Sequence, residues 1–484
     1  MGESEISVMS SVVSEEASSV STRQTEEDAG DDTTENEVYY TSAPDGRIRQ
    51  STPSSADGAT PFGTATPPVV TTTTKVTRKP LQWRPLVCSY KLSMKIGYPF
   101  PPDGLCDYLF HTFGVLPEGL NYKEDYHVLD EDKALLDQFK KAAAKSKLTS
   151  FGIDIYDHYD NMTGLALSTN EGKDLLRGLW DSKIVHYAIL DFIIYSAGEE
   201  FAHNIVKLAK ILIGLGDEYE SLHESESSFF FLGVAPFALA FQGELDYSMD
   251  PLNYVLSNLV PDAVLYRSTR TDYEKFEHYD CVFASPSMWS RLGEGNSQMS
   301  FEGALLLRRL STWPSSVVQM MSFSPAMAYI EDDLEFKYAE TCAEYGLKPA
   351  SFGFTTIPQG HQSDTSSTRN LVRNTMKASK CDPQNLARTA PWKTSPDGMD
   401  VFRLGSEGEE NQTFVGYDSP ESMKRKMCNL TVEHNFTGGW TMLHMEFSVV
   451  DGKGCGDLKY TGNYQTVQLL RDLMKLNFTS GDCT

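Results

Sequence analysis

Side chains able to move a proton or hold a metal are thinly spread along this sequence. Asp191 is the one acid inside Ile184–Ser196, IVHYAILDFIIYS, a run that closes on Phe192, Ile193, Ile194, Tyr195 and Ser196. A carboxylate in a cleft can give or take a proton. In a packed interior it serves instead as an acceptor for neighbouring backbone, Tyr or Arg. Asp191 and Tyr195 are four residues apart and so share one face of a strand. Asp154, Asp157 and His158 in IDIYDHYD form a fainter cluster, which reads as solvated loop charge. His111, His158, His186, His203 and His444 lack a second ligand at a recurrent metal spacing. The eight cysteines (Cys88, Cys106, Cys281, Cys342, Cys381, Cys428, Cys455 and Cys483) include no Cys-x-x-Cys pair, so neither zinc nor dithiol redox chemistry is indicated. No glycine-rich dinucleotide or phosphate loop occurs, and no cofactor or metal is expected.

The elements that must position these groups follow a regular order. Ile184–Ser196 reads as a fully buried strand, and after Ala197-Gly198 the apolar residues of Glu199–Leu212 recur at helical spacing, which is half of a βαβ unit. Glu199 and Glu200 open that helix as favourable charges on its dipole. Further strands are predicted at Leu86–Tyr90, Cys106–Phe113, Leu148–Tyr156, Ser228–Pro236, Asp262–Ser268, Ser316–Phe323 and Gly438–Phe447. Helical sequence falls between most of them, as in Asp130–Ser146, Asn170–Trp180, Pro251–Leu259, SFEGALLLRRLSTW and SPESMKRKMCNLTVEH, with TVQLLRDLMKL last. This alternation predicts an α/β protein, a (β/α)8 barrel over residues 81–484 with an insertion at about 325–415 between the seventh and eighth strands. Residues 1–80, rich in Ser, Thr and acids, bury too little to offset their ordering entropy and are expected to be a disordered tail. Barrels of this kind keep their chemistry at the strand C-termini. Here that rim reads Phe, Ile, Ile, Tyr, Ser.

Charge and composition narrow the partners. A formal net charge of −25 over 484 residues argues against nucleic acid or an anionic membrane, both of which need a basic surface. No run of about eighteen apolar residues occurs, and the first twenty residues lack the basic and apolar regions of a signal peptide. The start MGESEI matches a myristoylation signal poorly, with Ile6 where Ser or Thr is required. The eight cysteines and five Asn-x-Ser/Thr sites, at Asn161, Asn411, Asn429, Asn435 and Asn477, nonetheless predict an extracellular glycoprotein whose export or anchoring segment lies outside this sequence.

Three segments carry a more specific likeness. GYDSPESMKRK at Gly416–Lys426, then Gly438-Gly439-Trp440, then GKGCG at Gly452–Gly456 resemble the end of a family-18 glycoside hydrolase, the chitinases and chitinase-like proteins. Cys88, Cys106 and SFEGALLLRRLSTWPSSVVQMMSFSPAMAY agree in order. The resemblance implies a disulfide between Cys88 and Cys106 and another between Cys342 and Cys428. It also implies a fourth strand ending Asp-x-x-Asp-x-Asp-x-Glu, whose Glu protonates the glycosidic oxygen while the last Asp orients the substrate's own acetamido nucleophile. Aligned on Tyr195, those positions hold Tyr187, Leu190, Phe192 and Ile194, so Ile194 replaces the proton donor and Asp191 is the fallback. The family's groove-floor Trp is matched by Leu443, with Trp440 on the other face, and Tyr266 only loosely matches the family's sixth-strand tyrosine. Asp191, Tyr195, Tyr266 and Trp440 are the candidate ligand contacts. The expectation is a non-catalytic chitinase-like protein, binding chitin, another N-acetylglucosamine-containing glycan, or a protein. The alternatives are a hydrolase with a relocated acid and a scaffold without a glycan ligand.

Overall fold

The structure, a computed structural model, describes residues 81–90, 100–113, 130–155, 167–190, 199–235, 246–269, 287, 289, 300–325, 328–331, 393–394, 400–404, 413–445 and 464–483. They all belong to the compact unit Lys75–Thr484. The expected tail, residues 1–80, lies outside them. Eight parallel strands close into a barrel: β1 (Leu86–Tyr90), β2 (Tyr108–Phe113), β3 (Ser150–Ile155), β4 (Ile184–Ile189), β5 (Phe230–Val234), β6 (Ala263–Tyr266), β7 (Val318–Phe323) and, after an insertion, β12 (Gly439–Met442). Each strand pairs with its neighbour in sequence order, and β12 returns to β1 through Leu86 opposite Trp440. All eight predicted strands are therefore present. Helices α1 (Asp130–Lys145), α2 (Asn170–Arg177), α3 (Glu199–Leu222), α4 (Asp246–Asn258), α5 (Phe301–Leu310), α6 (Pro420–Val432) and α7 (Gln465–Leu473) alternate with the strands. Among the described residues none is long and apolar enough to cross a membrane.

Local chemistry sets the helix starts. The Ser300 hydroxyl accepts the Gly303 N–H at 3.1 Å, and Ser419 accepts Ser422 N–H at 3.1 Å with Pro420 in the first turn, capping donors that would otherwise be unpaired. Helix α4 starts five residues before the expected Pro251 and carries that proline inside it. Reading the proline as a helix start was the error. Between β7 and α6, strands β8 (Ala328–Glu331), β9 (Lys393–Thr394), β10 (Asp400–Leu404) and β11 (Thr413–Tyr417) form an antiparallel sheet in the order β8-β11-β10-β9. The expected insertion thus has a sheet of its own and runs slightly further, to Tyr417.

Alternation along the strands sorts the apolar residues into two layers. Val87, Phe110, Ala188, Phe231, Leu265 and Met320 fill the lumen. Leu86, Ile153, Tyr187, Leu232, Val264 and Phe323 meet the helices. The lumen is tight enough to require glycine at 233, where a Cβ would stand 2.1 Å from the Leu190 carbonyl oxygen.

Among the described residues two disulfides reinforce this frame. Cys88 and Cys106 are joined, as the resemblance implied. The implied Cys342–Cys428 pair is overturned: Cys428 is bonded to Cys483, with Cα atoms 5.2 Å apart, and Cys342 lies outside the described residues. The C-terminal turn runs beside α6, where Lys424 approaches Asp482 at 3.8 Å, and so delivers Cys483 to Cys428.

At the strand starts, Arg471 of α7 grips Asp107 through two bonds of 2.6 and 2.8 Å, while Asp107 also accepts the Leu86 N–H at 2.7 Å. One carboxylate therefore ties the closing helix to β1 and β2. Asp107→Ala strands a guanidinium and a backbone N–H together, and is expected to cost about 1–3 kcal/mol, read as a lower denaturant midpoint. An unchanged midpoint would show the clamp to be superfluous.

Candidate functional site

The mouth of the barrel is built from whatever follows the apolar lumen on each strand. Among the described residues Asp154 is the one acid within the eight barrel strands. It lies level with Thr112 of β2 and Ala188 of β4 and is 2% exposed. Thr112 donates its hydroxyl to Asp154 Oδ2 at 2.9 Å, and the Leu190 N–H donates to Oδ1 at 2.8 Å. Both carboxylate oxygens are engaged, cross-linking the ends of β2, β3 and β4. In the sequence Asp154 reads as solvated loop charge; the structure buries it within β3. The signal that could have corrected it was present: with Phe151, Ile153 and Ile155 on the helix side, Gly152 and Asp154 must face inward.

Arg267, one residue past β6, was passed over altogether. By the alternation that sends Ala263 and Leu265 into the lumen it faces inward, and it is fully buried. Beside it the ends of β6 and β7 are stitched by hydroxyls. Ser268 N–H donates to Ser322 Oγ at 2.9 Å, the Ser268 hydroxyl donates to Ser322 O at 2.7 Å, and Thr269 Oγ1 meets Ser322 Oγ at 2.9 Å. Further out, Lys426 of α6 is buried against Asp418 and donates to the Ser287 carbonyl at 2.6 Å. The mouth therefore carries a layer of fixed donors and acceptors above an apolar floor. Among the described residues no group of three His, Cys, Asp or Glu could hold a metal ion.

The expected site residues divide sharply. Asp191, Ile194, Tyr195, Asn161 and Asn411 lie outside the described residues, as do the Glu199 and Glu200 side chains. Leu190 faces the lumen, and Leu443 belongs to the lumen layer as well. Tyr187, aligned with an acidic position, faces the helices, where its hydroxyl accepts the Trp180 indole N–H at 2.8 Å. Tyr266 and Trp440 are corrected from ligand contacts to shell packing. Trp440 stacks on Phe323 at 5.4 Å and meets Phe436 edge-on, and Tyr266 is fully buried in the same layer. The cause is parity: each follows a lumen-facing neighbour by one residue. Burial pushes the Tyr266 phenol up to about 12, with Ser311, Arg308 and Trp313 opposing it.

Two histidines are held neutral by the interior. His186 lies at the lumen floor, stacked on Phe229 at 5.4 Å, and its Nδ1 accepts the Phe229 N–H at 3.1 Å. His111 packs on the helix side between Tyr90 and Phe139. Burial lowers both to about 3, from an ordinary value of 6.5.

No family model matches the chain, and no curated protein matches its sequence. Solved structures do match its fold. Human YKL-39, described as a pseudo-chitinase with retained chitooligosaccharide binding properties, aligns at a TM-score of 0.51 and 15% identity, over 81% of this chain and 100% of its own. A class V chitinase from Nicotiana tobaccum aligns at 0.51 and 12% identity, over 82% and 100%. The group IV chitinase of Ostrinia furnacalis, in complex with allosamidin, aligns at 0.51 and 14%, over 82% and 100%. The fold is thus that of chitinases and chitinase-like proteins.

The buried histidines set a pH dependence. Their folded pKa values lie below the unfolded value, so between about 6.5 and 3 the unfolded chain binds more protons. Their contribution is intact above 6.5 and is lost as pH falls toward 3. Replacing either, as in His111→Leu, is expected to flatten the loss of unfolding free energy below neutrality by about 1.4 kcal/mol per pH unit. Denaturant titrations in that window that superimpose on wild type would contradict the assignment.

Proposed function

We propose that this chain is a non-catalytic protein of the chitinase fold that binds an N-acetylglucosamine-containing glycan at the barrel mouth. The observation that carries the reading is the state of Asp154. Asp154, the only acid of the barrel strands among the described residues, has one oxygen bonded to the Thr112 hydroxyl and the other to the Leu190 N–H, so it serves as a cross-link between strand ends. Glycoside hydrolysis needs a proton donor aimed at the leaving oxygen. In the sequence, Ile194 stands where that donor is expected.

Binding can outlast catalysis in this fold: human YKL-39 is a pseudo-chitinase with retained chitooligosaccharide binding properties. Here the sugar would meet a different surface. Leu443 lines the lumen where a stacking Trp is expected, and the Ser268, Thr269 and Ser322 hydroxyls are fully buried against one another, so recognition would fall to other groups of the mouth. The Cys88–Cys106 and Cys428–Cys483 disulfides support an extracellular location, since such bonds persist in oxidising compartments.

Incubation with a fluorogenic chitooligosaccharide is expected to release no fluorophore above the uncatalysed background, while titration calorimetry with chitotetraose detects binding. Turnover that vanishes in Asp191→Asn would establish the hydrolase alternative and end this reading. A glycan array blank across all N-acetylglucosamine oligomers, from folded protein, would leave the barrel as a scaffold for a protein partner.

A further inference from the structure

In a barrel of this kind the strand starts and helix ends share one face, the base, opposite the mouth. Among the described residues, exposed large apolar side chains gather on that face. Trp83 and Val260 stand just before β1 and β6, Leu222 and Leu310 end α3 and α5, and Leu476 follows α7. These five side chains stand at the starts of two strands and at or just past the ends of three helices, so a bulky hydrophilic group on the same face would shield them from other molecules.

Two glycosylation sequons open onto the same face. Asn435 is exposed, at φ 51, in the turn from α6 to β12, where the Phe436 N–H returns to the Leu430 carbonyl at 2.9 Å. Asn477 is exposed beside Leu476, in the loop after α7. Asn429 differs. It is half-buried within α6 between Cys428 and Leu430, both fully buried, and Cys428 is tied to Cys483.

We propose that Asn435 and Asn477 carry N-linked glycans that cover the base, while Asn429 stays bare. An N-glycan is bulky and needs a surface position in the folded protein, which the first two sites offer and the third denies. The disulfides agree with folding in an oxidising compartment, where this modification is made. The donor is a lipid diphosphate-linked oligosaccharide. Its anomeric C–O bond breaks as the asparagine side-chain nitrogen bonds to that carbon, the diphosphate leaves with the electron pair, and the amide gives up a proton. Glycans on the base leave the mouth open, so the inference stands apart from ligand binding there and can fail without it.

The test uses protein isolated from its native cells. A glutamyl endopeptidase cuts after Glu433 and so separates Asn429 from Asn435, and enzymatic glycan release in heavy-oxygen water converts each occupied asparagine to a labelled aspartate. Mass spectrometry is expected to find label at Asn435 and Asn477 and none at Asn429. An unlabelled Asn435 or Asn477, or a labelled Asn429, overturns the assignment. The covering role is tested with the variant Thr437→Ala/Asn477→Gln, which removes both sequons and leaves Asn435 in its left-handed turn. A several-fold loss of soluble protein with chitotetraose titration unchanged is expected, and wild-type solubility would overturn the covering role.

Discussion

The structure depends on closing eight parallel strands into a ring with no edge, so that every strand backbone finds partners on both sides. Closure removes the freedom of each residue to choose its surroundings. Alternate side chains must enter the lumen, and the rest must meet the helices. One-residue parity therefore decides what a side chain can do. It sends Trp440 and Tyr266, both fit to stack on a sugar, into the shell, and Asp154 and Arg267 into the barrel.

Once inside, polar groups are costly unless paired, and the mouth shows how that cost is met. Asp154 draws a hydroxyl from β2 and an N–H from the end of β4. Ser268 and Ser322 exchange backbone and side-chain bonds between β6 and β7. Lys426 and Asp418 neutralise one another where α6 packs. These bonds hold the strand ends in fixed relation beneath the surface of the mouth. Rigidity of this kind suits recognition, because little ordering is left to be done on binding.

Much of this was legible in the sequence, for a physical reason. Buried parallel strands read as short apolar runs, so all eight barrel strands, their order and the insertion could be placed from Leu86–Tyr90 onward. Strand faces were harder. Trp440 was assigned the face opposite Leu443, which holds, yet was kept as a ligand candidate because aromatic identity alone does not say whether a ring meets sugar or leucine. Asp154 looked like loop charge because Asp157 and His158 follow it, although its own position falls within the strand pattern. Cys428 could not be paired correctly because disulfide partners are set by which chain ends meet in space. Nothing local to α6 announces that the C-terminal turn lies against it.

That last bond alters how the barrel is held shut. Cys428 and Cys483 are 55 positions apart, and the segment between them contains β12 and α7. The strand that completes the ring, and the helix whose Arg471 grips Asp107, are therefore enclosed in a covalent loop. A protease cutting once between β12 and α7 yields two pieces that stay linked through sulfur. The piece bearing α7 remains tethered next to its own docking place, at an effective concentration far above that of a free fragment. Wear on that side of the molecule is thereby converted from loss of an element into a reversible undocking.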